Sequence, residues 1–229
     1  MSQWSWQVRY VADHNALRTI FNHTPEARRA EALRRALSAS RNPSGVRVFR
    51  FLENNDTPRF LATHGIERTR MAAALLFALD GIPSIFNGQE IGDERHPYGT
   101  DRLFERGRPI RDLDRRGLFD FYRALARLRA AHPALHAGDY AEAAVEPAGR
   151  LFAFRRQAGG ERIWTVVNLG AKPRAAALAL EADGLDAAAE LQLADLMTGE
   201  EFPVAAGSLH TATIPMEGYS TRILRLDRR

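Results

Sequence analysis

Cysteine is absent from the 229 residues, which excludes disulfides, thiolate metal sites and cysteine nucleophiles. The same absence fits a reducing compartment, and a cytoplasmic protein is the expectation. Lysine is almost as scarce: Lys172 is the only one, and arginine supplies the rest of the 32 basic residues. No apolar run approaches the ~20 residues that span a bilayer. The strongest, Met71 to Leu79, is bracketed by Arg68, Arg70 and Asp80, so no membrane partner is expected. Met1 to Tyr10 mixes polar and aromatic side chains where a secretory signal has an uninterrupted apolar core. Gly-rich phosphate loops and Ser nucleophile motifs are also missing. The net charge of +4 comes from arginines spread among acids, as in Arg111, Asp112, Asp114 and Arg115. A nucleic-acid footprint gathers its cations on one face with interleaved aromatics, so none is expected.

The composition that is present, 45% hydrophobic and 26% charged, suits an ordinary globular chain of one or two cores. From Asp13 to Ser40 the pattern is helical. Leu17, Ile20 and Phe21 share one face, Leu33 and Leu37 another, and Pro25 after Thr24 marks a helix start. Asn42-Pro43-Ser44-Gly45 ends this stretch. Val46 to Leu52 reads as a buried strand closed by Glu53-Asn54-Asn55-Asp56. A helix is expected from Gly65 to Leu79, and then a second short strand, Ser84-Ile85-Phe86. Ile91 to Gly117 is long, polar and rich in Gly and Pro, as expected of a functional loop over a rim. Leu118 to Ala131 is helical again. Strand, helix, strand, helix at this spacing predicts a parallel α/β arrangement, open or closed into a barrel.

Beyond Pro133 the helical period gives way to short strands: 151–156, 163–168, 175–180, 191–196, 211–214 and 220–226. Gly159-Gly160 between the first two is a hairpin signal. The expected division is therefore an α/β region over 1–135 and a small antiparallel β-sandwich over 136–229.

Both short strands of the first region end in polar clusters, the end at which parallel α/β folds build their sites. From position alone, Asp56 is as well suited to capping its loop as to chemistry. At this point a family resemblance carries weight. Phe51-Leu52-Glu53-Asn54-Asn55-Asp56-Thr57-Pro58-Arg59 resembles the seventh-strand motif of the α-amylase family, glycoside hydrolase family 13. Gly81-Ile82-Pro83-Ser84-Ile85-Phe86-Asn87-Gly88-Gln89-Glu90-Ile91-Gly92 resembles its eighth-strand motif. Arg68-Thr69-Arg70-Met71-Ala72 resembles the helix between them. Leu128 to Leu135 is similar to the exit of the last barrel helix, and Asp195-Leu196-Met197-Thr198-Gly199-Glu200 to a hairpin of the C-terminal β-domain.

The resemblance implies the C-terminal part of a (β/α)8 TIM barrel, about strands six to eight, followed by the β-sandwich. It implies a retaining hydrolase or transglycosylase acting on α-glucans and maltooligosaccharides. In that family an Asp after strand four attacks the anomeric carbon and a Glu after strand five is the acid/base. The third carboxylate, matched by Asp56, stabilises the oxocarbenium-like transition state. Asn55 and Arg59 are expected to contact substrate. Asn55 stands where the family usually has His, and its amide donates hydrogen bonds but carries no charge. The first two carboxylates find no match here, so the chain is expected to be inactive alone and to be completed by an N-terminal half. No cofactor is expected, since the family's calcium ligands lie mostly upstream. The competing reading is a non-catalytic carbohydrate-binding or interaction module. Glu90 and the Gly199-Glu200 pair are read as structural, and Trp4 and Trp6 as packing residues. The seven histidines show no metal-ligand spacing.

Overall fold

The computed structural model describes residues 8–40, 47–99, 109–180, 190–205 and 210–228. Trp4, Trp6, the Asn42–Gly45 break and residues 100–108 of the long loop lie outside these ranges. The first region is built on three parallel strands in the order β1 (Val8–Ala12), β2 (Arg47–Phe51), β3 (Ile82–Ser84). Parallel neighbours need long crossovers, and these are supplied by α1 (Asp13–His23) with α2 (Arg29–Ser40), and by α3 (Phe60–Ala78). After β3 a long segment leads to α4 (Leu118–Ala131) and the single turn α5 (Pro133–His136).

Two boundaries differ from those expected, and a strand whose bounds the sequence does not mark, β1, lies upstream of Val46. It pairs with β2 in parallel from Val8↔Arg47 to Ala12↔Phe51, and a partner so distant in sequence leaves no hairpin signal. The second expected strand is shifted toward its proline, to Ile82–Ser84. Helix α3 begins at Phe60 and is kinked at Gly65, whose φ of 78° is left-handed. The helical period therefore becomes readable only after that glycine.

The antiparallel region begins with β4 (Asp139–Ala143) and β5 (Val145–Glu146). Then come β6 (Leu151–Ala158), β7 (Glu161–Asn168), β8 (Arg174–Leu180), β9 (Leu191–Asp195), β10 (Glu201–Pro203), β11 (His210–Met216) and β12 (Ser220–Arg228). Six strands form one sheet in the order β10-β9-β12-β7-β6-β4, and β11-β8-β5 form another. The β6–β7 hairpin pairs Ala158 with Glu161 across Gly159-Gly160, and Gly159 supplies the positive φ of 57° that the tight turn requires.

Strand alternation places the two cores. Leu151, Ala153, Trp164, Val166 and Leu224 pack against Leu178, Ala212 and Ile214 of the smaller sheet. Their neighbours Phe152, Phe154, Ile163, Val167 and Ile223 point the other way, into the core formed by the helices. The larger sheet is thus buried on both faces, which explains its nearly continuous apolar runs.

Three arginines close the C-terminal end of α3, where unpaired carbonyls and the helix dipole favour cations. Arg129 donates to the carbonyls of Phe77 (2.6 Å), Leu79 (2.8 Å) and Gly81 (2.6 Å). Arg156 of β6 donates to Ala78 O, Gly138 O and Asp139 O, and Arg50 of β2 to Asp80 O and Oδ1. Burial and the neighbouring Arg156 lower the Arg129 pKa to about 10. Among the described residues no helix is long and apolar enough to cross a membrane.

Candidate active site

Along β2, Val48 and Arg50 are buried, while Phe49 and Phe51 are half-buried on the opposite face. The chain leaves the strand through Leu52, which is fully buried, and Glu53, which is 3% exposed. Beyond Glu53 the backbone folds into a tightly bonded loop. The backbone N–H of Asp56 donates to Asn54 Oδ1 (3.0 Å), and the N–H of Asn54 donates to Thr57 Oγ1 (3.0 Å). These short-range bonds are the ones Asn and Thr favour in turns. They present Asp56 and Asn55 to solvent at the C-terminal end of the central parallel strand.

Asp56 Oδ1 accepts two hydrogen bonds, from Asn55 Nδ2 (3.0 Å) and from the Tyr98 hydroxyl (2.6 Å). Among the described residues Oδ2 has no partner. Asn55, expected to contact substrate, turns its amide N–H to the Asp56 carboxylate instead, and meets that charge as a neutral donor.

Arg59 is placed otherwise than expected. Its side chain is 1% exposed, and its Nε and Nη1 donors are engaged inside the protein. Nη1 donates to Glu53 Oε1 (2.8 Å) and Asn87 O (2.7 Å), and Nε donates to Arg95 O (3.1 Å). The group also lies over the Phe86 ring, 5.1 Å from its centroid. Asn87 and Arg95 belong to the segment after β3, so Arg59 ties the loop after β2 to the loop after β3. Its carboxylate partner, Glu53, uses Oε2 to accept the N–H of Phe60 (2.7 Å), the first residue of α3. Burial pushes the Glu53 carboxyl up; the Phe60 N–H and Arg59 oppose this without cancelling it.

The loop after β3 is ordered by the same kind of bonds. Gln89 Oε1 accepts the N–H of Phe86 (3.1 Å), and Gln89 Nε2 donates to the hydroxyl of Tyr122 (2.7 Å). Burial drives the Tyr122 phenol far above its ordinary range. Glu90 accepts the N–H of Gly88 (2.9 Å). Asp93 holds Arg95 through both carboxylate oxygens, at 3.0 Å each. Burial alone raises the Asp93 pKa, but the bonds from Arg95 outweigh it and leave the group below its ordinary value. Residues 97–99 then form a single 3-10 turn that brings Tyr98 to Asp56. Sequence reasoning misses Tyr98. The only signal for it is an aromatic in a loop already expected to be functional.

Glu200, in the turn between β9 and β10, pairs with Arg222 alongside the buried Asp195. It lies in the antiparallel region, away from both loops. His64 is buried between the rings of Phe60 and Phe21. His132 meets Glu161 at 2.6 Å. Among the described residues no three His, Asp or Glu gather into a metal site.

An exposed carboxylate thus stands at the end of a parallel strand in a chain that continues into antiparallel sheets. Residues 143–223 match the maltogenic amylase C-terminal domain family. The chain is 33% identical over 127 residues to α-amylase 2 of Dictyoglomus thermophilum, covering 52% of this chain and 22% of that protein. It is 26% identical over 215 residues to neopullulanase 2 of Thermoactinomyces vulgaris, covering 92% of this chain and 35% of that one. The chain thus spans about a fifth to a third of the length of these relatives. Among solved structures, the noncanonic maltogenic α-amylase AmyB from Thermotoga neapolitana superposes with a TM-score of 0.72 at 20% identity, over 96% of this chain and 50% of that one. AmyP in complex with maltose gives 0.70 at 21% identity, over 96% of this chain and 50% of that one. The chain is thus similar to the C-terminal part of proteins of the α-amylase family, glycoside hydrolase family 13.

Proposed function

We propose that this chain is the C-terminal part of a retaining α-glycoside hydrolase or transglycosylase acting on α-glucans and maltooligosaccharides. In this reading β1, β2 and β3 are the last three strands of a (β/α)8 barrel, residues 1–135 carry this share of it, and 136–229 are the β-domain. Asp56 is the transition-state stabiliser and Asn55 helps to orient it. The nucleophile and the acid/base come from a preceding half, on the same polypeptide or on a second chain. The observation that carries the reading is the state of the Asp56 carboxylate. One oxygen is held by two donors and the other is open to solvent, at the end of the strand where such sites are built. A carboxylate held this way accepts hydrogen bonds from sugar hydroxyls, and those bonds tighten as positive charge develops on the ring. The reach of the chain supports the rest: its match covers 22% of the length of two relatives, and among the described residues β1 and β3 are paired on one side only.

The pure chain is expected to bind maltotriose weakly, at millimolar sugar, without cleaving it. Asp56→Asn is expected to abolish that binding. Glucose release by the pure chain, lost in Asp56→Ala, overturns the partial-site reading; binding that ignores Asp56→Asn overturns the site. An immunoblot of the source cells with an antibody to the β-domain decides where the missing half lies. A band well above 25.6 kDa is expected if it shares the polypeptide. A band at that mass removes the single-polypeptide arrangement and favours a second chain or a carbohydrate-binding module.

A further inference from the structure

We propose that Tyr98 is the positioning residue of Asp56 and that its ring is a platform for the sugar that Asp56 holds. The inference rests on the reading of Asp56 given above and extends it to a residue 42 positions away. Three observations carry it. First, the Tyr98 hydroxyl donates to Asp56 Oδ1 at 2.6 Å, a short bond of the kind a charged acceptor makes. With Asn55 on the same oxygen, Oδ1 is engaged and Oδ2 is the atom left to accept from a hydroxyl. Second, Tyr98 is 73% exposed, and among the described residues the only other exposed large apolar side chain is Ile85, at 37%. An aromatic ring that gains nothing from burial, and whose polar end is already engaged, is suited to lie against the apolar face of a sugar.

Third, the contact is built into both loops. Arg59, itself buried, donates across to Asn87 O and Arg95 O. Asp93 clamps Arg95. His96 Nδ1 accepts the N–H of Tyr98 (3.3 Å), and its ring lies 5.0 Å from that of Tyr98. Each link shortens the range of positions open to the phenol, so the bond to Asp56 costs little ordering entropy. The bond and the charge of Asp56 also hold the Tyr98 phenol above its ordinary value.

The test uses the whole chain labelled with ¹³C at the tyrosine ζ carbon, with maltotriose as the probe. The Tyr98 signal is expected to titrate above the ordinary phenol value and to move back toward it in Asp56→Asn. Maltotriose is expected to shift the same signal. Tyr98→Phe, which keeps the ring and loses the hydroxyl, is expected to weaken binding about threefold, and Tyr98→Ala about tenfold or more. Because the side chain is exposed, both variants are expected to unfold at the wild-type temperature. A Tyr98 titration unmoved by Asp56→Asn overturns the positioning role. Binding that is lost in Asp56→Asn but equal in all three forms at position 98 overturns the inference and leaves the reading of Asp56 standing. Absence of binding in the wild type overturns both.

Discussion

Replacing Arg59 by Met tests the pair that holds the two loops together. The substitution keeps an unbranched apolar stem of similar reach and removes three side-chain hydrogen bonds, to Glu53, Asn87 and Arg95. It also leaves the Glu53 carboxylate, 3% exposed, dependent on the N–H of Phe60 at 2.7 Å. Breaking a buried ion pair from one side costs about 3–5 kcal/mol, because the surviving charge is uncompensated. For a chain of this size that corresponds to a fall in Tm of roughly 6–20 °C. The pH dependence gives the effect a signature. Glu53 already has a folded pKa above its ordinary value of 4.5, and removing Arg59 raises it further. A carboxyl whose folded pKa is raised contributes most below its unfolded pKa, and that contribution is lost as pH rises through the folded value. The deficit of Arg59→Met is therefore expected to be largest at neutral pH and to shrink toward pH 4.5, the ordinary value for the group. Urea unfolding followed by circular dichroism at both pH values measures it. Adding Glu53→Gln is expected to recover part of the loss, since the two sites share one interaction. A loss under about 1 kcal/mol, or strict additivity of the two substitutions, refutes a buried, coupled pair.

Arg129→Met is expected to destabilise the chain by about 3 kcal/mol or more, because three carbonyls at the end of α3 lose a charged donor together; chemical denaturation checks this, and an unchanged midpoint refutes it. Glu26 gives the opposite pH sign from Glu53. Burial raises its pKa, but bonds from Arg174 and the Ala171 backbone, with the charge of Arg29, outweigh this and lower it from 4.5. A carboxyl with a depressed folded pKa stabilises above its unfolded value and loses that contribution as pH falls through the folded one. Glu26→Gln is expected to melt below wild type at neutral pH, with the gap closing as the medium is acidified below 4.5. A gap independent of pH refutes the assignment.

How much of this is legible in the sequence depends on the range of the interactions involved. The main strands of the β-region are readable by alternation: in β6 it runs between two cores, Phe152 and Phe154 facing the helices and Leu151 and Ala153 the smaller sheet, and in β11 between core and solvent. The loop that carries Asp56 is readable because it is closed by bonds among Asn54, Asp56 and Thr57 within a few residues. Strand β1 is not, since its partner β2 lies across two helices, in a parallel register that no turn residue announces. Arg59 misleads for a related reason. Its identity advertises a cation for a ligand, while its burial depends on Asn87 and Arg95, which only the folded chain brings near. Tyr98 escapes notice because its bond to Asp56 spans two loops.

The same long-range contacts link the β-region to the loop that carries Asp56. One face of the larger sheet is buried by helices rather than by the second sheet, so this region is no independent appendage. Thr221 of β12 donates to Met71 O in α3 (3.0 Å). Arg68 of α3 donates to the Tyr219 hydroxyl (2.8 Å) and lies over the rings of Tyr219 and Phe21. Arg156 of β6 closes the far end of the helix at Ala78 O. Helix α3 is thus held along its length by the β-region, and its first residue, Phe60, is held by Glu53. Glu53 precedes Asp56 by three residues and is paired with the arginine that fixes the Tyr98 loop. The position of the Asp56 carboxylate is therefore set by packing that begins in the antiparallel sheet, which gives a physical reason for the α/β region and the β-region to be carried on one chain.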